Sequence, residues 1–416
     1  MNAIVETGTA GFLARYAAAR DALPGDSTLR AAAADAFRTL GLPGASRGRR
    51  SEAWKYTTLQ PLGGMSFRSA TVSRVSAMTE LLADAAARLV FQDGKFREDL
   101  STSVPGFARF ADQPDFGELS WPDRDPMVAL NTMLAEDGAI LTVPEGHDAG
   151  MVFLIHDGTD ASSAHPRHMI RLAQGARLTV MEMSVGQGCY LYNPVTEIHV
   201  ADGAVLTHVR LQTDTTEAFH LATIYAAVAA GGTYDSFTLN IGGRITRAEI
   251  HTALDGPGAI AHLNGAQLLT GSQHADFTSV VRHAAPKGTS RQTIKNVLAG
   301  SSRGVFQGRI EVARGAQGTD GYQMNRALLL SPDAEIDTKP ELEIFADDVK
   351  CSHGATVGEL DAEQLFYLRS RGIPDREARS ILVRAFLAEA LDPVTNDIAR
   401  GLLEAAVARW WEGQAA

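Results

Sequence analysis

The chain has two cysteines in 416 residues, Cys189 and Cys351. Two thiols are too few for a disulfide framework and point to a reducing compartment. Positive charge is also short. The formal net charge is −11, which argues against a nucleic-acid binder with its basic patch and against docking on anionic membrane surfaces. No run approaches the roughly 20 apolar residues that a bilayer crossing needs. The first residues lack the basic region and apolar core of a secretory signal. Together these absences predict a cytoplasmic protein. Several catalytic signatures are missing as well: there is no G-x-x-x-x-G-K-[ST] phosphate loop, no G-x-G-x-x-G, no C-x-x-C and no H-E-x-x-H.

What is present is an ordinary soluble composition, 45% apolar and 21% charged, in a chain long enough for two or three structural units. Residues 1–145 read as a mixed, helix-rich domain. A helix is predicted over 27–40, with Asp26 or Ser27 as N-cap and Gly41 as its stop. Another is predicted over 77–89. Asp125-Pro126 sets a cap and an N1 proline for a third over 126–136, ended by Gly138. SEAWKYT (51–57) places two aromatics beside charges and reads as a packed loop.

From about Gly146 to 360 the pattern changes to short β-rich runs punctuated by glycine. Gly175, Gly203 and Gly231 are 28 residues apart, and Gly258 follows 27 later. Aligning on them stacks Met181, Val209 and Phe237 in one column and Met183, Leu211 and Leu239 in a second. A fixed period with stacked apolar columns predicts a solenoid, best a β-helix, with glycine at tight corners. A β-sandwich is the competing reading. Residues 361–416 return to helix. Asp361 caps 362–371, Pro374 opens a second helix and a third follows Pro393. These three form a small bundle that packs on the β core or offers a docking surface.

The chemistry concentrates in DDVKCSHGATVG (347–358). In a strand, i and i+2 share a face, so Cys351 and His353 project together, Cα atoms roughly 6–7 Å apart. A thiol and an imidazole on one face suit a soft metal ion or an iron–sulfur species. Such clusters typically take four protein ligands, so a partner would have to supply the rest. Against this stands a plain reading, in which Cys351 is a small buried hydrophobe and His353 a satisfied histidine. His199, His208, His220 and His251 have no ligand-like spacing and read as strand or surface histidines. Another β-helix function, polysaccharide cleavage by paired carboxylates, would recruit Asp276, Asp320, Asp347 and Asp348. Adjacent Asp347 and Asp348 face opposite ways in a strand, and aromatics for sugar stacking are few.

Four longer stretches resemble the SufB/SufD family of iron–sulfur cluster assembly scaffolds: KPELEIFADDVKCSHGATVG (339–358), SRQTIKNVLAGSSRGVFQGRIEV (290–312), LLLSPDAE (328–335) and LFYLRSRGI (365–373). Within the family the chain is more similar to the SufD branch, since SufB members are usually longer and richer in cysteine, and residues 1–188 here have none. The resemblance implies a mainly β fold: a right-handed parallel β-helix core between an N-terminal α-rich and a C-terminal helical domain. It implies a non-catalytic scaffold subunit that pairs with SufB and binds the ATPase SufC through the C-terminal domain, with Leu365, Tyr367, Leu368, Arg371, Ile381 and Phe386 as candidate contacts. It implies that Cys351 and His353 meet iron or a nascent iron–sulfur cluster transiently at the partner interface, with no cofactor stably bound. It further implies that the isolated chain forms a homodimer through the same β-helix face.

Overall fold

The computed structural model describes residues 7–44, 52–68 and 87–413. Its core is a parallel β-solenoid of about eight turns. Successive long strands alternate between two sheets. One sheet has ten strands, from Lys95–Phe96 and Arg88–Gln92 at its start to Thr319–Leu329 and Val349–Gly358 at its end. The other runs from Phe107–Arg109 to Arg303–Val312 and Glu335–Ile344. Antiparallel strands, Lys95–Phe96 and Phe107–Arg109, close the first end of both sheets. The last strand of each sheet at the other end has no further neighbour among the described residues.

The glycine repeat marks the corners. Gly175, Gly203, Gly231 and Gly258 have φ of 65°, 63°, 61° and 69°, the left-handed region where a Cβ is penalised. The two apolar columns are in register: Val209 pairs with Met181 and Phe237, and Leu211 with Met183 and Leu239. These columns face away from the interior. They pack under Val383, Leu387, Leu403, Val407 and Trp410 of helices α5 (Asp375–Leu391) and α6 (Asp397–Gly413), which follow α4 (Ala362–Ser370). The C-terminal helices therefore pack back on the first sheet. The interior between the sheets is filled by other residues, among them Val180, Leu206, Ile224, Leu263, Phe277 and Phe306.

At the N-terminal side, α1 (Gly8–Ala19), α2 (Ser27–Leu40) and α3 (Pro126–Leu134) cover the outer face of the second sheet through Phe12, Phe37, Leu130 and Met133 against Leu191, Phe219 and Leu221. Asp26 caps α2 by accepting from the Thr28 and Leu29 amides. Asp125 does the same for α3 from Met127 and Val128. That helix stops at Leu134, two residues short of the expected end. The expected helix over 77–89 is corrected at its end, because Arg88–Gln92 is a strand. Leu89–Gln92 are all buried, as in a strand covered on both faces; residues 77–86 lie outside the described part. In the described part of the SEAWKYT segment, expected as a packed loop, Glu52–Trp54 is a short 3-10 helix and 55–57 are irregular, with Trp54 and Thr57 packed inward and Glu52, Ala53 and Lys55 exposed. Trp54 is buried under the Arg247 guanidinium, 4.4 Å from the ring centre, and the Thr57 hydroxyl donates to Asp276 at 2.5 Å.

Candidate functional site

Cys351 and His353 lie on Val349–Gly358, the terminal strand of the first sheet. This strand pairs in parallel with Thr319–Leu329, setting Cys351 beside Gly321 and His353 beside Gln323. Cys351 packs with Ile310, Val312 and Leu342, which line the interior near its last turn. The i, i+2 relation then turns His353 to the same side. The structure thus brings the pair together at the mouth of the solenoid, with Cys351 half-buried and His353 exposed. Burial pushes the Cys351 thiol up, a shift that the Gly321 amide hydrogen bond opposes. The resting sulfur is therefore a thiol, and it needs a cation or proton acceptor to become a ligand.

Among the described residues no group of three or more His, Cys, Asp or Glu is placed to hold a metal ion. Cys351 and His353 therefore amount to a partial donor set. The same terminal segments expose Phe345 at 66%, Val357 at 55% and Ile344, interspersed with charged Glu343, Asp347, Asp348 and Lys350. A terminal strand with free backbone groups beside exposed apolar residues is a template for pairing with another chain.

The second cluster of candidates lies on α4 and α5. Tyr367 and Leu368 line an open apolar groove with Phe366, Ile381 and Leu382. Arg371 stacks on the Tyr367 ring at 5.2 Å. Leu365 instead faces a cleft against Leu329 and Leu330. Phe386 is turned to the sheet, with the Lys295 ammonium 4.4 Å from its ring centre. Phe366, at 73% exposure the most exposed of these side chains, was not singled out in the sequence. Its signal was there: LFYL puts four apolar residues in one turn of helix, and a helix buries only one face.

The carboxylates of the polysaccharide-cleavage reading do not converge. Asp276 is buried on the second sheet, paired with Arg247. Asp320 stands on the first sheet, 2.7 Å from Arg291. Asp347 and Asp348 lie between the terminal strands. His208 and His220 are strand residues, as expected, but no spacing in the chain pointed to their buried partners, Glu182 and Asp214. No described helix is long and apolar enough to cross a membrane.

Comparison with known proteins agrees with this geometry. Residues 153–386 match the family described as SUF system FeS cluster assembly, SufBD core domain. The chain is 34% identical to the iron–sulfur cluster assembly protein SufD of Escherichia coli (strain K12), over 87% of this chain and 88% of that one. It is 30% identical to an iron–sulfur cluster assembly SufBD family protein of Synechocystis, over 91% and 89%. It is 33% identical to the chloroplastic protein ABCI7 of Arabidopsis thaliana, over 68% and 61%. The solenoid between two helical layers, its open end carrying Cys351 and His353, is that of a chain belonging to the SufBD family of iron–sulfur cluster assembly proteins.

Proposed function

We propose that this chain is a scaffold subunit with no turnover of its own, and that Cys351 and His353 complete a ligand set begun by a SufB-type partner. The observation that carries this reading is the placement of a thiol and an imidazole together at an unpaired sheet edge. A partner strand added there would use the free backbone groups and cover Phe345 and Val357. It would also bring the remaining donors that a cluster needs. Iron or sulfur is then cargo, held only while the interface exists. A second copy of the chain can occupy the same edge, which gives the isolated protein as a homodimer.

The groove on α4 and α5 fits the docking of an ATPase of the SufC type. α5 packs on the sheet that ends in the Cys351 strand, and α4 follows that strand in the chain and packs on α5, so movement at the groove has a covalent and packed route to the site. The test is co-expression with SufB and SufC counterparts, followed by anaerobic assay of iron and acid-labile sulfide. Cys351→Ala and His353→Ala should each lower both contents in a complex of unchanged stoichiometry. Equal contents in variant and parent complexes would remove the pair from the mechanism.

A further inference from the structure

Inside the solenoid, far along the coil from Cys351, lies a cluster of titratable side chains that the proposed function does not use. His156, Glu182, His208 and Arg210 come from the first sheet, and His168, Tyr192 and His220 from strands of the second. All are at least 95% buried. Their rings run on from one another: His156 to His168 5.1 Å between centres, His156 to Tyr192 4.9 Å, and Tyr192 to His220 5.0 Å. Two carboxylate–imidazole pairs bound the cluster, Glu182 with His208 at 2.9 Å and Asp214 with His220 at 2.8 Å.

Between those pairs, polar atoms meet no partner. They are both ring nitrogens of His156, Nε2 of His168, Nε2 of His220, the Tyr192 hydroxyl and Nη1 of Arg210. His156 Nε2 stands 3.6 Å from Glu182, beyond ordinary hydrogen-bond reach. Buried polar groups in native proteins are satisfied, and several unsatisfied ones together would rival the net stability of a domain.

The mix of donors and acceptors decides what could satisfy them. His168 accepts the Ala139 amide at Nδ1, so its Nε2 carries a hydrogen and donates. His156 is neutral, its pKa lowered to about 3 chiefly by burial, and so offers one donor and one acceptor. Tyr192 does both, and Arg210 only donates. An anion would face Glu182 and Asp214. A cation would face Arg210, and no three ligating residues converge. Water both donates and accepts, and three to four bonds is its usual complement in a protein interior.

We propose that this cluster of unpartnered polar atoms binds ordered water molecules that join the Glu182–His208 and Asp214–His220 pairs, through Tyr192 and His156, into one proton-sharing network. This reading stands independently of the interface function.

A crystal structure of the full chain at a resolution that orders internal water tests it directly. Density for at least two waters bonded to His156 and Tyr192 is expected. An absence of internal water beside these atoms, side chains rearranged to bond one another, or an anomalously scattering atom would each overturn it. The linkage is read by nitrogen NMR of the histidine rings. Glu182→Gln should shift the His220 ring resonances, and the shift should vanish in a Tyr192→Phe background. A His220 response that is absent, or that persists without the Tyr192 hydroxyl, refutes the network. Should Glu182→Gln not fold, the crystal structure of the parent chain decides alone.

Discussion

Gly321 sits directly beside Cys351, and a Cβ at position 321 would come within 3.3 Å of the Cys351 sulfur. The neighbouring Ile310 methyl groups leave 3.4 Å on the other side. Glycine here makes the recess in which the thiol turns inward, accepts the Gly321 amide hydrogen bond and stays protonated.

In a Cys189→Ser background, Cys351 should therefore alkylate slowly at neutral pH, with a midpoint above the ordinary thiol range. Gly321→Val should push the sulfur out of its recess and bring the midpoint down toward that range. A parent thiol that titrates below the ordinary range would mean that the site is activated before any partner arrives.

Phe366 and Tyr367 are 73% and 57% exposed, so replacing either with aspartate removes little folded-state packing. Phe366→Asp and Tyr367→Asp should leave the melting temperature within about 2 °C of the parent. If α4 and α5 hold an ATPase as proposed, each should weaken its binding by about 30-fold or more, the 2 kcal/mol of an interface hot spot. Phe386→Asp should behave the other way and destabilise the chain, because that ring covers Lys295. Calorimetric titration and thermal melts separate the two classes. Full ATPase affinity in both exposed variants would move the docking surface elsewhere.

Legibility followed local chemistry. Ser27–Leu40 was readable to the residue because Asp26 and Gly41 mark its two ends. The repeat was readable because four successive coils place a glycine of positive φ at the same corner, and it faded at the next coil, where Lys287 takes that corner with φ of 60°. The destination of the apolar columns was not: Val209 and Phe237 alternate with residues that are also buried, since this sheet is covered on both faces, and strand parity cannot tell inside from outside. Cys351 and His353 were readable as a pair by their spacing of two. Their position at the mouth of the solenoid depends on where the coil ends. The His208–Glu182 pair was hidden because its members are 26 residues apart and meet only through coil stacking.

Glu389 on α5 reaches down to Lys295, whose ammonium lies 2.5 Å away on a side chain that is 1% exposed, and it also meets Arg326 at 2.8 Å. Glu389→Ala leaves a buried ammonium without its anion and should cost about 1–3 kcal/mol, kept below a fully buried pair because the carboxylate is half exposed. Lys295→Met keeps the stem over Phe386 without the charge and should cost less. The double variant should resemble Lys295→Met alone. Urea titration of all three checks the order, and a Lys295→Met loss larger than that of Glu389→Ala would show that the charge itself holds α5 to the sheet.

Acid should weaken this fold before most of its carboxylates are protonated. Burial lowers His156 to about 3, His168 and His283 to about 4, and His165 well below its ordinary value. Unfolded, all four take up a proton near pH 6.5, roughly the free imidazole value. Between there and the folded values the unfolded state binds more protons, so stability is full above the unfolded pKa and falls as pH drops. Asp125 works in the opposite sense: burial first, then Glu249, raise it to about 6, so the folded state takes up its proton first. These four, joined by His199 and His274, which burial lowers in the same sense, outweigh the one carboxyl and leave a net loss on acidification, each histidine worth at most about 1.4 kcal/mol per pH unit. The melting temperature should therefore decline from about pH 7 to about pH 5, and His156→Leu should flatten that slope by up to one proton. A profile that is level or rises on acidification over that window would mean that these rings carry their protons inside the folded coil.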